Sequence, residues 1–362
     1  MDKLPVLNKV SETKESGEDI LLAHHLLPDV TPFLDTLSNR YNLYGIVGVP
    51  YSSTESTVKK IRSKHDVPVT VPSSVQEVKQ KVTDLVDQYD DNQLVIVDTG
   101  GYCVAILKDK AEEKLLGIVE DTNQGHWKYE EQESDTQIYS IAQSTIKSLE
   151  NKAVGQAIVF STENILRNEL QQDLADKNVL VMGYGGIGKA VTTSLEGRNA
   201  AVYVYDKNPV KMVEARLDGY QSVEKQRMLS KADVIIGASG HESLGQDELE
   251  NLSDQTILVS ESSKQVEIDT EYLKEQTSLV REGFNWKEYA DAEMSVTLLN
   301  EGKPINFLDN SVPLSILDLI FSELYLCIEE ITVNETNRSR RIGEVSQDKK
   351  ALITEEWLQQ YG

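Results

Sequence analysis

Residues 178–189 read N-V-L-V-M-G-Y-G-G-I-G-K, an apolar strand that runs directly into a G-x-G-x-x-G fingerprint. Gly183 suits the tight turn, Gly185 lets the backbone approach a pyrophosphate, and Gly188 allows the helix to pack closely on the strand. The helix that follows would present unpaired N–H groups and its positive dipole end to the phosphates. The stretch therefore predicts a dinucleotide-binding fold. The other residues of the predicted phosphate loop are Tyr184, Gly186 and Ile187.

An acidic residue closes the next predicted strand. Asp206 follows Gly183 by 23 residues, and the fingerprint places its ribose-binding acid about 20 residues on. A carboxylate there favours NAD over NADP because it would repel a 2′-phosphate, although the adjacent Lys207 weakens that preference. Ser239 and Gly240 end a later strand and are predicted to run under the nicotinamide ribose, with an ordinary strand-to-helix turn as the alternative. NAD is the predicted cofactor.

Apolar strands alternate with amphipathic helices on both sides of the fingerprint. This pattern predicts an α/β fold of two Rossmann-like domains with doubly wound parallel sheets. The first 20 or so residues are expected to form a loose tail, residues 112–135 a solvated loop or edge, and residues 138–151 a helix leading into a second one at 154–168. The predicted domains are a substrate-type domain of residues 1–155 plus 307–336, an NAD-binding Rossmann domain of residues 156–306, and a short C-terminal extension of residues 337–362.

The composition excludes several classes of protein. Asp and Glu number 60 against 36 Lys and Arg, which gives a net charge of −24. Such a surface repels phosphate backbones and anionic lipids, so we expect neither nucleic-acid nor membrane binding. The chain has no run of ~18 apolar residues, and its polar start does not resemble a signal peptide, so we expect a cytoplasmic protein. Two distant cysteines and five scattered histidines predict no metal site.

Several further motifs resemble those of the S-adenosylhomocysteine hydrolase family. The chain has V-E-I-D at residues 266–269, as the family does, and D-K-N-P at 206–209 is similar to its E-I-D-P. Residues 118–125, I-V-E-D-T-N-Q-G, resemble I-S-E-E-T-T-T-G, and residues 302–307, G-K-P-I-N-F, resemble G-R-L-V-N-L. Upstream, residues 24–27 look like L-H-M-T. The resemblance runs from about residue 20 to about residue 330, and its motifs are most specific in the cofactor domain.

The resemblance implies a chemistry and a set of site residues. Family members hold NAD, oxidise the ribose 3′-hydroxyl of the substrate, eliminate homocysteine, add water and reduce the ketone again, which requires proton-transfer groups around the sugar. Lys147 and His25 match catalytic positions of the family, and Asp121 replaces the glutamate that holds the substrate ribose. The further residues implied are Asn151 for the substrate and Thr122, Asn123 and Asn306 for the cofactor.

Other positions depart from the family pattern. Thr99 stands where the family has a catalytic aspartate, and the D-N of K-F-D-N falls on Asn151 and Lys152. The histidines of N-I-G-H-F-D and G-H-P-S fall on Ser263 and Val312. The family's C-terminal K-P-D-H-Y-R-Y has no counterpart, so we expect a homo-oligomer smaller than the family's tetramer, with a dimer favoured.

These departures define three functional hypotheses. The first is an NAD-dependent, redox-neutral enzyme acting on a small-molecule substrate other than S-adenosylhomocysteine. The second is a non-catalytic homologue that binds NAD or a nucleoside and regulates a partner. The third is a weak S-adenosylhomocysteine hydrolase. Structural roles are favoured for His24, for His241 and for the basic cluster Arg338, Arg340 and Arg341.

Overall fold

The computed structural model describes residues 4–12, 17–91, 93–108, 110–262, 265–292, 294–309, 311–333 and 342–362. The strands are β1 Asp19–Leu26, β2 Asn42–Ser53, β3 Val69–Thr70, β4 Leu94–Asp98, β5 Leu115–Glu120, β6 Gln137–Ser140, β7 Asn178–Met182, β8 Ala201–Tyr205, β9 Gln221–Ser222, β10 Val234–Gly237, β11 Thr256–Ser260, β12 Ser278–Glu282, β13 Trp286–Ala290 and β14 Ser295–Leu299. The helices are α1 Pro5–Val10, α2 Val30–Ser38, α3 Glu55–Lys64, α4 Val75–Gln88, α5 Asn123–Glu130, α6 Lys147–Asn168, α7 Gly186–Leu195, α8 Pro209–Leu217, α9 Lys225–Leu229, α10 Gln246–Leu249, α11 Thr270–Gln276, α12 Leu314–Val333 and α13 Gln347–Tyr361.

The first of two compact units comprises Met1–Leu149 and Pro313–Gly362. Its parallel sheet has the order β3-β2-β1-β4-β5-β6. Successive residues of β1 enter different cores: Ile20 and Leu22 lie on one face, and Leu21 and Ala23 on the other. Burial on both faces explains why the strand is apolar throughout. The strand order reverses between β1 and β4, so their carboxyl ends flank a ligand crevice of the usual α/β kind.

The second unit, Glu150–Val312, repeats this arrangement. Its sheet has the order β12-β13-β14-β11-β10-β7-β8-β9. The six strands from β14 to β9 in this order are parallel, and β13 pairs antiparallel with both β14 and β12. The residues of β7 alternate between two cores as those of β1 do. The order reverses between β7 and β10, which puts the fingerprint at the switch point. Two α/β units with doubly wound parallel sheets confirm the predicted fold class.

Three local predictions were wrong. Residues 112–135 contain a buried strand, β5, and the helix α5. The strand was missed because it includes the acidic residue Glu120, which is buried and hydrogen-bonded. Ile138 belongs to the short strand β6, and α6 is one continuous helix instead of two. Within the predicted loose tail, α1 begins with Pro5 at its first position, where proline is favoured, and buries three apolar residues.

The borders of the two units also differ from the sequence-based ones. The expected border at residues 155/156 falls inside α6, which crosses from one unit into the other without a break. Residues 307–312 belong to the second unit. The described part of the expected C-terminal extension is not separate: α13 belongs to the first unit, and Trp357 Nε1 donates to Ser315 O at 2.7 Å. Arg338, Arg340 and Arg341 lie outside the described residues.

Candidate functional site

The glycine fingerprint forms an open cradle between β7 and α7. Gly183 has a φ of +109°, which favours glycine. A methyl group at Gly188 would lie 2.0 Å from Gly183 O, so close packing requires glycine there, whereas nothing lies within 4 Å of one at Gly185. Gly185 precedes the first helical residue, Gly186, and offers no side-chain cap. The backbone is therefore shaped for an anion to approach the helix N-terminus.

Asp206 follows β8 and is held beside this cradle. Its Oδ2 accepts the Tyr184 N–H at 2.7 Å, and its Oδ1 accepts the Asn208 N–H at 2.8 Å. The two bonds fix the carboxylate at the end of the strand where a ribose-binding acid is expected. Lys207 is exposed. The Tyr184 side chain is buried and donates to Asp218 at 2.9 Å, so it supports the loop from behind.

The turn after β10 lies against the cradle. A methyl group at Gly183 would be 2.4 Å from Ala238 O. The N–H groups of Ser239 and Gly240 donate to Glu267 at 2.6 and 2.7 Å. Glu267 was missed as a site residue, although the V-E-I-D match contained it. This buried carboxylate fixes the shape of the turn.

Asn151, Ile187 and Asn306 also belong to the second unit. Asn151 was predicted to bind substrate, but the structure places its amide against the phosphate loop: a methyl group at Gly186 would be 2.3 Å from Asn151 Nδ2. Ile187 packs on the apolar core. Asn306 is buried, and its Nδ2 donates to Ser311 at 2.7 Å while its Oδ1 has no partner among the described residues. That amide oxygen is available to a ligand.

In the first unit, the ends of neighbouring strands collect polar side chains. Asp121 follows β5, and its Oδ1 accepts a hydrogen bond from Lys147 Nζ at 2.8 Å. Burial alone would raise the pKa of Asp121, but the Lys147 ammonium and the nearby histidines outweigh it and lower that pKa. The pair is therefore an ammonium and a carboxylate, both mostly shielded from water.

His25 ends the apolar part of β1 and is predicted to be a catalytic residue. Its Nδ1 bonds the hydroxyl of Ser52 on β2. Burial, aided by His24, lowers the pKa of His25 to about 3, so the imidazole is neutral near pH 7. His24 is buried, and its ring lies beside the stacked rings of Phe33 and Phe321, which agrees with a packing role. The two histidines therefore differ in surroundings, and His25 is the one with a polar partner on the neighbouring strand.

A buried acid next to Asp121 shapes the neighbouring turn. Glu120 accepts the N–H groups of Gly100, Gly101 and Thr122 at 3.0, 2.9 and 2.6 Å. Thr122 caps α5 through Gly125, and Asn123, its first residue, is exposed. Sequence reasoning missed Glu120 because two of its three N–H partners, those of Gly100 and Gly101, lie about 20 residues away in the chain. The structure places Thr122 and Asn123 on α5, and their cofactor role stays a prediction.

The positions that depart from the family pattern carry no replacement acid or imidazole. Thr99 is buried, and its hydroxyl has no partner among the described residues. Val312 packs on an apolar core, and Lys152 is exposed. Ser263 lies outside the described residues. Thr99, Lys152 and Val312 therefore supply neither a carboxylate nor an imidazole at these positions.

Two general properties accompany these sites. In the described ranges, no three His, Cys, Asp or Glu side chains are arranged to hold a metal ion. No helix in the same part of the chain combines the length and apolar character needed to cross a membrane.

Known proteins share both the cofactor domain and most of the chain. The family model of the S-adenosyl-L-homocysteine hydrolase NAD-binding domain matches residues 162–312. An S-inosyl-L-homocysteine hydrolase of Methanopyrus kandleri is 26% identical over 385 residues, covering 100% of this chain and 88% of the relative. An adenosylhomocysteinase of Thermotoga maritima is 28% identical over 348 residues, covering 89% and 84%. Among solved structures, a D-isomer specific 2-hydroxyacid dehydrogenase of Lactobacillus delbrueckii ssp. bulgaricus aligns with a TM-score of 0.40 at 12% identity, over 89% of this chain and 100% of the other.

Proposed function

We propose that this chain is a redox-neutral, NAD-dependent enzyme whose substrate is not S-adenosyl-L-homocysteine. The premise is that the chain belongs, through its NAD-binding domain, to the S-adenosyl-L-homocysteine hydrolase family. The first candidate substrate is the S-inosyl thioether, which is named in the relative from Methanopyrus kandleri. The observation that carries the proposal is the Lys147–Asp121 pair, retained in a site where Thr99 replaces an acid. The cradle fits NAD, since Gly185 is open, Asp206 is fixed and Asn306 Oδ1 is unpaired among the described residues.

Lys147 is the residue that would act on a substrate hydroxyl. Lys147 Nζ donates to Asp121, and an ammonium has three N–H donors in all. In the substrate complex, a donor of this group would bind the hydroxyl oxygen and stabilise it as its proton leaves. His25, neutral and bonded to Ser52, is the candidate hydrogen-bond partner that would orient the hydroxyl. Since the lowered pKa makes this imidazole a weak base, the proton would leave to bulk water. Bound NAD would supply the hydride acceptor.

The missing groups argue against efficient hydrolysis of S-adenosyl-L-homocysteine. Each general acid or base contributes about 10²–10⁴-fold to a rate. Thr99 and Val312 cannot exchange protons with a substrate near neutral pH. The same two residues favour the alternative function, a non-catalytic homologue that binds NAD or a nucleoside. The retained ion pair favours the enzyme, because holding a buried ammonium and carboxylate costs desolvation energy that a binding protein need not spend.

The test compares two thioethers on the purified protein. We expect mass spectrometry to find bound NAD, and S-inosyl-L-homocysteine to produce transient absorbance of reduced nicotinamide and free homocysteine, with S-adenosyl-L-homocysteine much slower. Lys147→Met should lower the rate by about 10²–10⁴-fold without loss of NAD. Lys79→Met, an exposed lysine on α4, is the matched control and should leave the rate unchanged.

The remaining outcomes separate the alternatives. A protein that holds NAD but reduces it with neither thioether supports the non-catalytic homologue. Hydrolysis of S-adenosyl-L-homocysteine at a low rate, in preference to the S-inosyl thioether, supports the third hypothesis. A protein that neither contains NAD nor binds it in calorimetry contradicts every NAD-dependent hypothesis.

A further inference from the structure

Two buried carboxyl groups follow β11 in the second unit, Glu261 directly and Glu267 six residues later. Glu267 receives five hydrogen bonds, from the N–H groups of Ser239 and Gly240 and from the hydroxyls of Ser239, Ser243 and Ser262. Five donors, two of them backbone N–H groups that cannot accept a hydrogen bond in return, favour the ionised form of a carboxyl group. Glu267 is therefore a fixed negative charge beneath the turn after β10.

Ser262 links the two carboxyl groups. Its hydroxyl donates to Glu267 Oε1, accepts the Gly240 N–H at 3.1 Å, and lies 3.2 Å from Glu261 Oε1. A serine hydroxyl has one proton to donate and can accept two hydrogen bonds. Since its proton is directed to Glu267, the contact with Glu261 is best satisfied when Glu261 is the donor. The geometry of this bridge points to a protonated Glu261 beside an ionised Glu267.

The surroundings favour the same state. Burial and the negative charge of Glu267 raise the pKa of Glu261 to about 8. On the side of β10, the His241 ring turns back to Ser239 O at 3.1 Å. After β14, Lys303 pairs with Glu301 at 2.7 Å, and Asp309 lies further along that turn. In the described part of the unit, Glu267 is the charged group that shifts the pKa of Glu261.

Glu261 also lies at the appropriate end of the sheet for the cofactor. Its N–H donates to Gly237 O at 3.1 Å, which ties the carboxyl ends of β10 and β11 together. Asp206, at the end of β8, lies across the switch point from these strands. A dinucleotide crosses this crevice, so an adenosine ribose at Asp206 puts the nicotinamide half toward β10 and β11. The resemblance aligns N-I-G-H-F-D so that isoleucine corresponds to Glu261, which makes this acid a feature of this chain.

We propose that Glu261 is a proton-exchanging site coupled to the charge of the nicotinamide ring. Glu261 is protonated in the cofactor-free protein, releases its proton to bulk water when the cationic NAD⁺ binds, and keeps it when the neutral ring of NADH binds. The O–H bond of Glu261 breaks, its electron pair stays on the carboxylate, and the proton goes to bulk water. The carboxylate that forms is the partner of the positive ring, and the step transfers no electron to or from the cofactor. The inference rests on the NAD binding of the proposed function and not on its substrate.

This coupling predicts a pH-dependent affinity for NAD⁺ and a nearly pH-independent affinity for NADH. Below the pKa of Glu261, NAD⁺ binding must remove a proton, so its association constant should rise by up to about tenfold per pH unit between pH 6 and 8. NADH affinity should be nearly constant over that range. The negative charge would favour the oxidised over the reduced cofactor increasingly as the pH rises.

Calorimetric titration of the full chain, freed of cofactor, tests this directly. NAD⁺ and NADH are titrated at pH 7 in buffers of different ionisation enthalpy, which gives the number of protons released on binding. Wild type should release close to one proton with NAD⁺ and close to none with NADH. Glu261→Gln should bind both without proton release and with a flat pH profile. Glu275→Gln, an exposed acid on α11, is the matched control and should behave as wild type.

The other possible outcomes distinguish a failure of the Glu261 assignment from a failure of the cofactor assignment or of the proposed function. Equal proton release from wild type and Glu261→Gln would overturn the assignment to Glu261, as would NAD⁺ binding without any release. If NAD⁺ does not bind to wild type at all, the cofactor assignment fails and this inference fails with it. A failure to turn over either thioether, with proton release intact, would count against the proposed function alone. Ser262→Ala, which removes the bridge, checks the geometry and should shift the pH midpoint of NAD⁺ affinity.

Discussion

His25 illustrates how the fold sets the charge of a single residue. The imidazole is enclosed at the end of β1, and burial together with His24 lowers its pKa to about 3. The unfolded chain would protonate the same ring at a pH near 6.5. The folded protein therefore binds fewer protons at this position than the unfolded chain does between these two values.

This difference in proton binding makes the free energy of unfolding rise with pH in that range. The stabilisation linked to His25 is fully present above about pH 6.5 and is lost as the pH falls toward 3. We expect His25→Gln to lose less stability than wild type on acidification, with a difference in slope approaching about 1.4 kcal/mol per pH unit below pH 6. Urea unfolding of both proteins at a series of pH values measures it.

Ser52→Ala provides the control for that experiment. It removes the hydroxyl that bonds His25 Nδ1 but leaves a histidine to titrate, so its slope should follow that of wild type even if its stability is lower. If the free energy of unfolding of wild type and of His25→Gln changed with pH in parallel, His25 would be protonated to the same extent in the folded and the unfolded protein.

The sequence predicted those site residues whose spacing is local. The three fingerprint glycines and Asp206 could be identified because the turn, the helix start and the next strand follow each other closely in the chain. Glu267 and Glu120 could not, because their partners are backbone N–H groups about 20 or more residues away. Glu261 could not be predicted either, because it belongs to no sequence motif that indicates a site residue. Its protonation depends on two neighbours that only the folded turn brings together.

At the scale of the element, short strands were the weak point of the sequence analysis. β6 has four residues, and β5 ends in a charged residue, so neither gave a clear apolar run. Hydrophobic periodicity predicted the long helices α6 and α12. It did not predict the first residue of α6, because β6 lies just before that helix. The element that binds phosphate was the easiest to place, because glycine requirements there are steric and local.

That steric requirement can be tested glycine by glycine. Gly185→Ala meets nothing within 4 Å, so we expect an unchanged melting temperature but at least about a tenfold loss of NAD affinity, because the new methyl occupies the space of the pyrophosphate. Gly188→Ala would place its methyl 2.0 Å from Gly183 O and should cost about 1–3 kcal/mol of stability. Calorimetry with NAD and thermal unfolding separate the two effects.

Gly197→Ala is the control for these variants. A methyl group at Gly197 would also have no atom within 4 Å, but this residue lies beyond the end of α7, away from the cradle. Both stability and NAD affinity should remain as in wild type. If Gly185→Ala binds NAD normally, the phosphates do not approach the loop where the fingerprint puts them.

At the scale of the molecule, the chain leaves the first unit and returns to it. Pro313–Gly362 rejoins Met1–Leu149. The segments at both ends of the chain meet on one buried acid of α12. Asp318 accepts the N–H groups of Val6 and Leu7 at 3.0 and 2.8 Å and the hydroxyl of Tyr361 at 2.9 Å. This carboxylate caps α1 from a remote part of the chain.

Asp318→Ala should therefore destabilise the first unit more than an ordinary cap mutation does. Three donors lose their partner in a buried place, and we expect a loss of about 3 kcal/mol in the free energy of unfolding, measured in urea. Tyr361→Phe removes a single donor and should cost only about 1 kcal/mol. Limited proteolysis should cut near α1 faster in Asp318→Ala than in Tyr361→Phe, because α1 loses its cap only in the former. A loss below about 0.5 kcal/mol for Asp318→Ala, the size of an ordinary surface substitution, would show that the two ends of the chain are held by apolar packing alone.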